Sequence, residues 1–475
     1  MTEFKGSSEH DLLSPALAPI DIKNRDVTAR GLGIIWFGMA VQITVFAALA
    51  QMTNYFTIGE LILIYIIGSI ILAISCLIAQ DIGLKYGISF AASIVASFGY
   101  QGGKIVSVIR TLPSLIFFAL NGYIGAQAIN EIFKIIFGFD NIYLSLLINV
   151  IALIAVTIKG VKGIERFSTF IAPLLVAVGV YMMYIVLSAY NVSLSDTFSM
   201  GKTMETSKPW IFGFAVVVGL FFSVVMGIND ITKNCRVEST SNTWVRTNKR
   251  YFTVSVIGIV PFLVFFTILG NITVVLSGRL DVLVVISELI QKQSIILAVL
   301  IQLFIVVAQM STNTAANLLP SAYVACSLFP KRLNFKVATI LVAFLACIIQ
   351  PWNHMDKLDL VVSLFSTTAG PALAIIGMDY YVFRKRQLSL DDLFNSKGKY
   401  KYFKGYNPAA LIVYVVATAI GFFFFIDYSF FVSTGLAVVL YYIAAKAFGK
   451  MFPVLVTEES VIPPVTESES HVQVN

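Results

Sequence analysis

The sequence predicts an all-α integral membrane protein with twelve transmembrane helices. Hydrophobic residues make up 58% of the 475 residues and charged residues only 12%, with a mean hydropathy of +0.85. Soluble domains contain roughly 45–50% apolar and about 25% charged residues. A helix needs about 20 apolar residues to cross the hydrocarbon core. Twelve such stretches lie near residues 31–52, 58–80, 105–130, 142–160, 167–189, 209–229, 252–276, 294–323, 335–350, 359–383, 408–426 and 428–448.

Basic residues are concentrated in alternate connections between these spans. With the N-terminus in the cytoplasm, the inner segments carry 26 Lys and Arg residues and the outer connections carry six. This asymmetry indicates a multi-pass protein of the cell (plasma) membrane with both termini inside. Residues 28–450 then form the twelve-span domain. Residues 1–27 and 451–475 are polar cytoplasmic tails without apolar periodicity, a composition that predicts disorder.

The sequence offers no enzymatic signature. No HExxH, Walker A, GxGxxG or Ser/His/Asp pattern stands where a catalytic site would need it. The four cysteines have no metal-like spacing. Basic residues form no face with interleaved aromatics, which argues against a nucleic-acid partner. We therefore expect a protein that moves or binds a molecule, with no catalytic residues and no cofactor.

Carboxylates lie at the ends of the predicted spans. The carboxylates near the spans are Glu60, Glu131, Asp230, Glu288 and Asp379. A proton relay through the bilayer normally needs a titratable side chain at depth. The pattern therefore argues against proton coupling, although a water-mediated route stays open.

Residues 306–320, VVAQMSTNTAANLLP, place a polar cluster inside span 8. Ser311 and Thr312 supply adjacent hydroxyl oxygens, which suit a hard monovalent cation. Asn313 and Asn317 are four residues apart and share one helical face. A single polar residue in a span usually bonds within its own helix, but a cluster of this kind favours a binding site for an ion and a polar ligand.

Two further amides, Gln42 in span 1 and Asn121 in span 3, lie at mid-span. A cation site would need more oxygens, which broken helices supply as free backbone carbonyls. Glycines in spans 1 and 6 indicate either such breaks or close helix packing: Gly33, Gly38, Gly213, Gly219 and Gly227. Breaks in the first and sixth spans are what an inverted repeat of five plus five spans requires.

Five separated segments carry a family resemblance. They are IIWFGMAVQITVFAALAQMT (34–53), GLKYGISF with SFGYQGGKI (83–105), MGINDITKNCRV (226–237), STNTAANLLPSAYVACSLFP (311–330) and GPALAIIGMDYYVFRKRQLSLDDL (370–393). Together they resemble the nucleobase–cation symport family, most closely its sodium-coupled bacterial hydantoin symporters. The resemblance extends from about residue 26 to residue 450.

The resemblance implies a LeuT-type fold with a five-plus-five inverted repeat and two extra C-terminal helices. The repeats would span about residues 28–190 and 205–386, and the extra spans about 407–448. Alternating access would come from a helix bundle rocking against a second group of helices.

The resemblance also implies the residues of the site. Sodium would be bound by Gly38, Val41, Ala308, Ser311 and Thr312, the first three through backbone carbonyls. The substrate would be bound by Gln42, Phe117, Asn121, the carbonyl of Leu220, Phe221, Asn313 and Asn317. The outer gate would be Leu364 or Phe365.

Three positions depart from the hydantoin symporters. Phe117 and Phe221 replace two tryptophans that stack on the substrate, and Asn121 replaces a glutamine. Phenylalanine still stacks on a planar ring, with less area and no N–H group. The shorter amide lies roughly 1–1.5 Å further back. We therefore expect a wider pocket, for which a hydantoin, a nucleobase and an allantoin-like compound are equal candidates.

The leading hypothesis is a sodium-coupled secondary active symporter of a small planar nitrogenous compound. Its partners would be that substrate, sodium as the coupling ion, and the lipid bilayer. The alternatives are a proton-coupled symporter of a similar substrate and, less favoured, a non-transporting membrane sensor on the same fold.

Overall fold

The computed structural model describes residues 10–42, 45, 49–204, 208–237, 243–291 and 294–456. The side chains of residues 222 and 355–362 also lie outside the described part. The prediction of disorder for residues 1–9 and 457–475 concerns residues outside the described part. The main helices are α1 Ala29–Ala40, α2 Ile58–Tyr86, α3 Phe90–Phe98, α4 Tyr100–Phe137, α5 Ile142–Thr157, α6 Gly160–Ala189, α7 Trp210–Leu220, α8 Phe222–Gly227, α9 Asn229–Thr232, α10 Trp244–Ser277, α11 Val282–Gln291, α12 Ile295–Thr312, α13 Leu319–Leu328, α14 Phe335–Ile349, α15 Leu358–Gly377, α16 Pro408–Phe424 and α17 Ser429–Phe448.

The prediction of twelve spans is confirmed. Among the described residues, seven helical segments are long and apolar enough to cross a membrane, and they correspond to spans 2, 3, 5, 7, 8, 9 and 12. Shorter apolar helices form spans 1, 4, 6 and 11, and the 20-residue helix α15 forms most of span 10. Span 1 begins with α1, span 4 is α5, span 6 combines α7 to α9, span 10 is α15 with a following π-helical turn, and span 11 is α16.

Local sequence signals fix the ends of α2. The Thr57 hydroxyl accepts a hydrogen bond from the Glu60 backbone N–H at 3.3 Å, and the Glu60 carboxylate accepts one from the Thr57 N–H at 2.9 Å. This reciprocal pair satisfies two donors that a helix start leaves free. Gly87 ends the helix in the left-handed conformation, with φ 68°, which glycine adopts without steric cost. Glu60 is therefore a capping residue.

The spans pack as two groups. Spans 1, 2, 6 and 7 contact one another through α1, α2, α7 and α10. Spans 3, 4, 8 and 9 form the second group around α4. The polar cluster of span 8 thus belongs to one group and the start of span 1 to the other.

Two helices lie where the sequence predicted connections. α3 follows span 2, and α11 lies between spans 7 and 8. Each has ten residues or fewer, so neither is long enough to cross the hydrocarbon core.

The expectation of disorder is wrong for residues 10–27. The Val27 N–H donates to the Asn234 carbonyl at 3.0 Å, and the Leu12 N–H donates to the Phe394 carbonyl at 3.1 Å. Near the other end of the chain, the ring of Phe452 contacts Tyr402. Both ends of the described part of the chain therefore lie on one side of the molecule, which we call the terminal side. Backbone hydrogen bonds to neighbouring loops order this polar segment without an apolar period of its own.

Buried ion pairs tie the helices together on the terminal side. The Asp379 carboxylate accepts hydrogen bonds from Arg384 Nε at 2.8 Å and from the Ser97 hydroxyl at 2.9 Å. Asp81, which the sequence reasoning did not single out, binds both Nε and Nη2 of Arg386 at 2.8 Å. These carboxylates lie at span ends, and each is satisfied by a guanidinium group.

We expect Asp379→Ala to destabilise the protein strongly, because Arg384 would remain buried without its counter-ion. Breaking a buried pair from one side costs about 3–5 kcal/mol. Glu288→Ala is the control, since Glu288 bonds Arg279 at 2.8 Å with both side chains about half exposed, and exposed pairs contribute little. Thermal unfolding in detergent measures both variants. Equal midpoints for the two would contradict this assignment.

Candidate substrate and ion site

Two spans are interrupted near the middle of the molecule. α1 ends at Ala40, and Val41 has non-helical angles of φ −84° and ψ 56°. α7 ends at Leu220, and Phe221, with φ −104° and ψ 14°, precedes α8. A helix end leaves backbone groups without intrahelical partners. The breaks fall in spans 1 and 6, as the sequence predicted.

The glycines of these spans serve close packing, and the breaks lie elsewhere. A Cβ added at Gly38 would lie 2.1 Å from the Ser311 hydroxyl oxygen, and one at Gly227 would lie 2.2 Å from the Arg110 guanidinium. Such distances are far inside van der Waals contact. Glycine therefore allows each broken span to approach a helix of the other group.

Span 8 is locally π-helical over Asn313–Leu318. Pro320 follows this turn, and proline has no N–H with which to bond the carbonyl four residues earlier, that of Ala316. This missing bond gives a physical reason for the wider turn. Isolated π-helical turns within α-helices frequently lie at functional sites. Pro320 is the signal in the sequence from which this turn can be predicted.

The hydroxyl part of the polar cluster faces span 1. The Thr312 hydroxyl donates to the Gly38 carbonyl at 2.7 Å. The hydroxyls of Ser311 and Ser168 lie 2.8 Å apart, and Ser168, on α6, is an addition that no sequence pattern indicated. Val41 and Ala308 are fully buried. Among the described residues, no group of three or more His, Cys, Asp or Glu side chains is placed to hold a metal.

The amide part of the cluster joins span 8 to span 3. Asn313 Nδ2 donates to the Phe118 carbonyl at 3.0 Å, and Asn317 Nδ2 donates to Asn313 Oδ1 at 2.8 Å. The two asparagines thus share a face, as predicted. Asn121 Nδ2 donates to the Phe117 carbonyl of its own helix at 2.9 Å.

A small cavity lies between the interrupted spans. Its lining residues are Gln42, Ser114, Phe117, Leu220, Phe221, Ser223, Val224, Ala316 and Asn317. They leave about 10 Å³, room for about one water molecule. A ligand the size of a nucleobase would therefore need these side chains to move apart.

Five of the seven predicted substrate residues line this cavity, and Asn121 and Asn313 do not. The gate candidates do not line it either. Leu364 is 40% exposed and Phe365 is buried, so the gate stays a prediction. Ser114 and Ser223 are lining residues that the sequence reasoning missed.

A buried ion pair lies on the terminal side of the cavity. Arg110 Nη1 and Asp230 Oδ2 are 2.8 Å apart, with both side chains almost fully buried. Arg110 Nε also donates to the Ser223 carbonyl at 2.9 Å, and the Phe90 N–H donates to Asp230 at 2.9 Å. α3, α4, α8 and α9 are thereby linked between the cavity and the terminal side.

Comparison with known proteins identifies the family. A family model for permeases of cytosine/purines, uracil, thiamine and allantoin matches residues 19–444. The chain is 34% identical over 453 residues to the hydantoin permease of Microbacterium maritypicum, covering 94% of this chain and 92% of that one. It is 26% identical to the allantoin permease of Bacillus subtilis, with 83% of each chain covered. The chain belongs to the nucleobase–cation symport family.

Two solved structures of the family transporter Mhp1, each 34% identical to this chain, share its fold. The closed conformation with bromovinylhydantoin bound has a TM-score of 0.89 and covers 93% of this chain and 97% of that chain. The inward-facing conformation has a TM-score of 0.83 and covers 94% and 96%. This member of the symport family is therefore a multi-pass membrane transporter with the LeuT-type fold, and it is not an enzyme.

We expect Gly38→Ala to destabilise this transporter, because its Cβ would meet the Ser311 hydroxyl. Overpacking of this kind typically costs 1–3 kcal/mol. The matched control is Gly122→Ala, where an added Cβ meets nothing within 4 Å and the helix gains up to about 1 kcal/mol. Thermal unfolding measures both.

Removing the obstructing hydroxyl should restore part of the lost stability in the double variant Gly38→Ala with Ser311→Ala. If Gly38→Ala unfolded at the wild-type temperature, the close approach between spans 1 and 8 would be wrong.

Proposed function

We propose that the protein is a sodium-coupled symporter that takes up a small planar nitrogenous compound of the hydantoin, nucleobase or allantoin type by alternating access. The contact between the Thr312 hydroxyl and the Gly38 carbonyl carries the proposal. This contact joins the two groups of spans, and it lies in span 8 one helical turn before Asn317, which lines the cavity. An ion held there would touch both groups and favour one arrangement over another.

The oxygen atoms of the proposed ion site suit a monovalent cation. All the proposed ligand atoms are uncharged oxygens. They are the carbonyl oxygens of Gly38, Val41 and Ala308 and the hydroxyl oxygens of Ser311 and Thr312. Hard cations prefer oxygen ligands, and a site without carboxylates binds them weakly enough for release during transport. If sodium raises substrate affinity, the substrate must raise sodium affinity by the same factor.

The cavity has the chemistry for a flat polar ligand. Phe117 and Phe221 supply aromatic faces, and Gln42 and Asn317 supply amides that both donate and accept hydrogen bonds. Ligands of the relatives agree with this chemistry, since Mhp1 was solved with bromovinylhydantoin bound and another relative is an allantoin permease.

Sodium is favoured over protons because no residue that lines the cavity is ionisable. Among the described residues, the buried carboxylates Asp81, Asp230 and Asp379 are each paired with an arginine, and Glu165 is paired with Lys162. None of these paired carboxylates lines the cavity.

The charge distribution supports a location in the plasma membrane with the terminal side facing the cytoplasm. Of the Lys and Arg residues, 26 fall in the sequence segments predicted to be inside and six in the connections predicted to be outside. This orientation follows the positive-inside rule.

A thermal-shift screen of the purified protein tests the function. Hydantoins, allantoin, purines and pyrimidines are each added in sodium chloride and in potassium chloride at equal ionic strength. Binding to the native state raises the unfolding temperature. We expect at least one ligand to stabilise the protein only in sodium. Equal stabilisation in both salts would contradict sodium coupling.

We expect Thr312→Ala to weaken sodium-dependent ligand binding at least about tenfold, because a hydrogen bond or ligand oxygen to a charged group is worth about 1.5–3 kcal/mol. Thr314→Ala is the matched control, since the Thr314 hydroxyl bonds Met310 and Ser311 of its own helix. Ligand titrations at several sodium concentrations measure both variants. A sodium dependence that is unchanged in Thr312→Ala would contradict the assignment of the ion site.

Asn317→Ala should instead lose ligand affinity while sodium alone still stabilises the protein. Loss of both responses in this variant would mean that the ion and ligand sites are not separate.

A further inference from the structure

Two serines on the terminal side of the cavity have no role in the proposed ion site or in the ligand contacts assigned to the amides of Gln42 and Asn317. The hydroxyls of Ser114 and Ser223 lie 2.7 Å apart, and the side chains are 2% and 6% exposed. Both line the cavity that Gln42 and Asn317 also line. Ser114 belongs to α4 in one group of spans and Ser223 to α8 in the other, so the pair bridges the two groups.

The two serine hydroxyls form a polar part of the cavity wall next to the rings of Phe117 and Phe221. Ser114 lies about one helical turn from Phe117 towards the terminal side, and Ser223 follows Phe221 by two residues in the same direction. The cavity therefore offers amides from spans 1 and 8 and hydroxyls from spans 3 and 6, with aromatic faces beside them. Each hydroxyl can both donate and accept a hydrogen bond.

The backbone beneath this pair is held in place. Arg110 Nε donates to the Ser223 carbonyl at 2.9 Å, and Arg110 is itself paired with Asp230. The Ser114 hydroxyl also lies 3.4 Å from the Arg110 carbonyl, one turn away on α4. Polar groups that are fixed before a ligand binds discriminate between ligands more sharply than mobile ones.

We propose that Ser114 and Ser223 are specificity-determining residues that select ligands with a second polar edge, such as a ureido or oxo group, in addition to the edge bound by the amides. The proposal rests on the proposed transport function and narrows its substrate class. A ligand that separates the hydroxyls and bonds them replaces their mutual hydrogen bond. A ligand with an apolar edge separates them and replaces nothing, so that the Ser223 hydroxyl loses this bond and Ser114 keeps only its 3.4 Å contact with the Arg110 carbonyl, which is unfavourable in a buried site.

Allantoin, which is 5-ureidohydantoin, and 5-propylhydantoin are the matched probes, because they share the ring and differ in the polarity of the substituent. Binding of each is measured by thermal-shift titration in sodium for the wild type, Ser114→Ala, Ser223→Ala and the double variant. The control is Ser69→Ala, whose buried hydroxyl bonds its own helix at 2.6 Å.

We expect the wild type to prefer allantoin by at least about tenfold, and each single variant to lose most of that preference. Propylhydantoin should bind the double variant at least as tightly as it binds the wild type, because no hydroxyl is left unpaired. Ser69→Ala should keep the wild-type ratio. A general loss of protein stability would weaken the binding of both ligands together and leave the ratio of their affinities unchanged.

A ratio that stays constant across the serine variants would overturn the proposal, as would a wild type that binds propylhydantoin but not allantoin. Sodium-dependent binding of propylhydantoin would still support the transport function in that case. If neither ligand bound the wild type, this proposal would be overturned, and the wider screen of purines and pyrimidines in sodium and potassium would still test the transport function.

Discussion

The contact between spans 1 and 8 at the candidate ion site is built around one hydrogen bond, from the Thr312 hydroxyl to the Gly38 carbonyl. Within a bilayer, a carbonyl freed by a broken helix has no water to bond and needs a partner from the protein. Glycine at position 38 lets spans 1 and 8 come close enough for Thr312 to be that partner. Because the two spans belong to different packing groups, the bond also links the groups. An ion that competed for these oxygens would act on that link directly.

Charge is separated from the cavity. The cavity is lined by amides, hydroxyls and apolar side chains, whereas the buried pairs of Arg110, Arg384 and Arg386 with aspartates lie near the terminal side. The Arg110–Asp230 pair is coupled to the cavity through the Ser223 carbonyl. The fold is more similar to the closed conformation of Mhp1 than to the inward-facing one, with TM-scores of 0.89 and 0.83.

Hydropathy predicted the spans because burial in lipid imposes long apolar segments. The polar run at 311–317 indicated the candidate site because polar side chains are unfavourable in lipid unless they have a partner. Pairing between distant residues was not predictable. Asp230 was recognised near a span end, but only the folded structure shows that it meets Arg110. Ser114, Ser168 and Ser223 were missed because an isolated serine in a span usually bonds its own helix. The π-helical turn had a signal in Pro320, which lacks the donor that a regular helix would need.

Uptake into proteoliposomes tests the central claim most directly. Radiolabelled allantoin and 5-propylhydantoin would be supplied outside vesicles with an inward sodium gradient, at equal pH and with the membrane potential clamped. A parallel set would have an inward proton gradient and no sodium. The account predicts accumulation above the external concentration with the sodium gradient alone. Accumulation driven equally well by protons in the absence of sodium would contradict it.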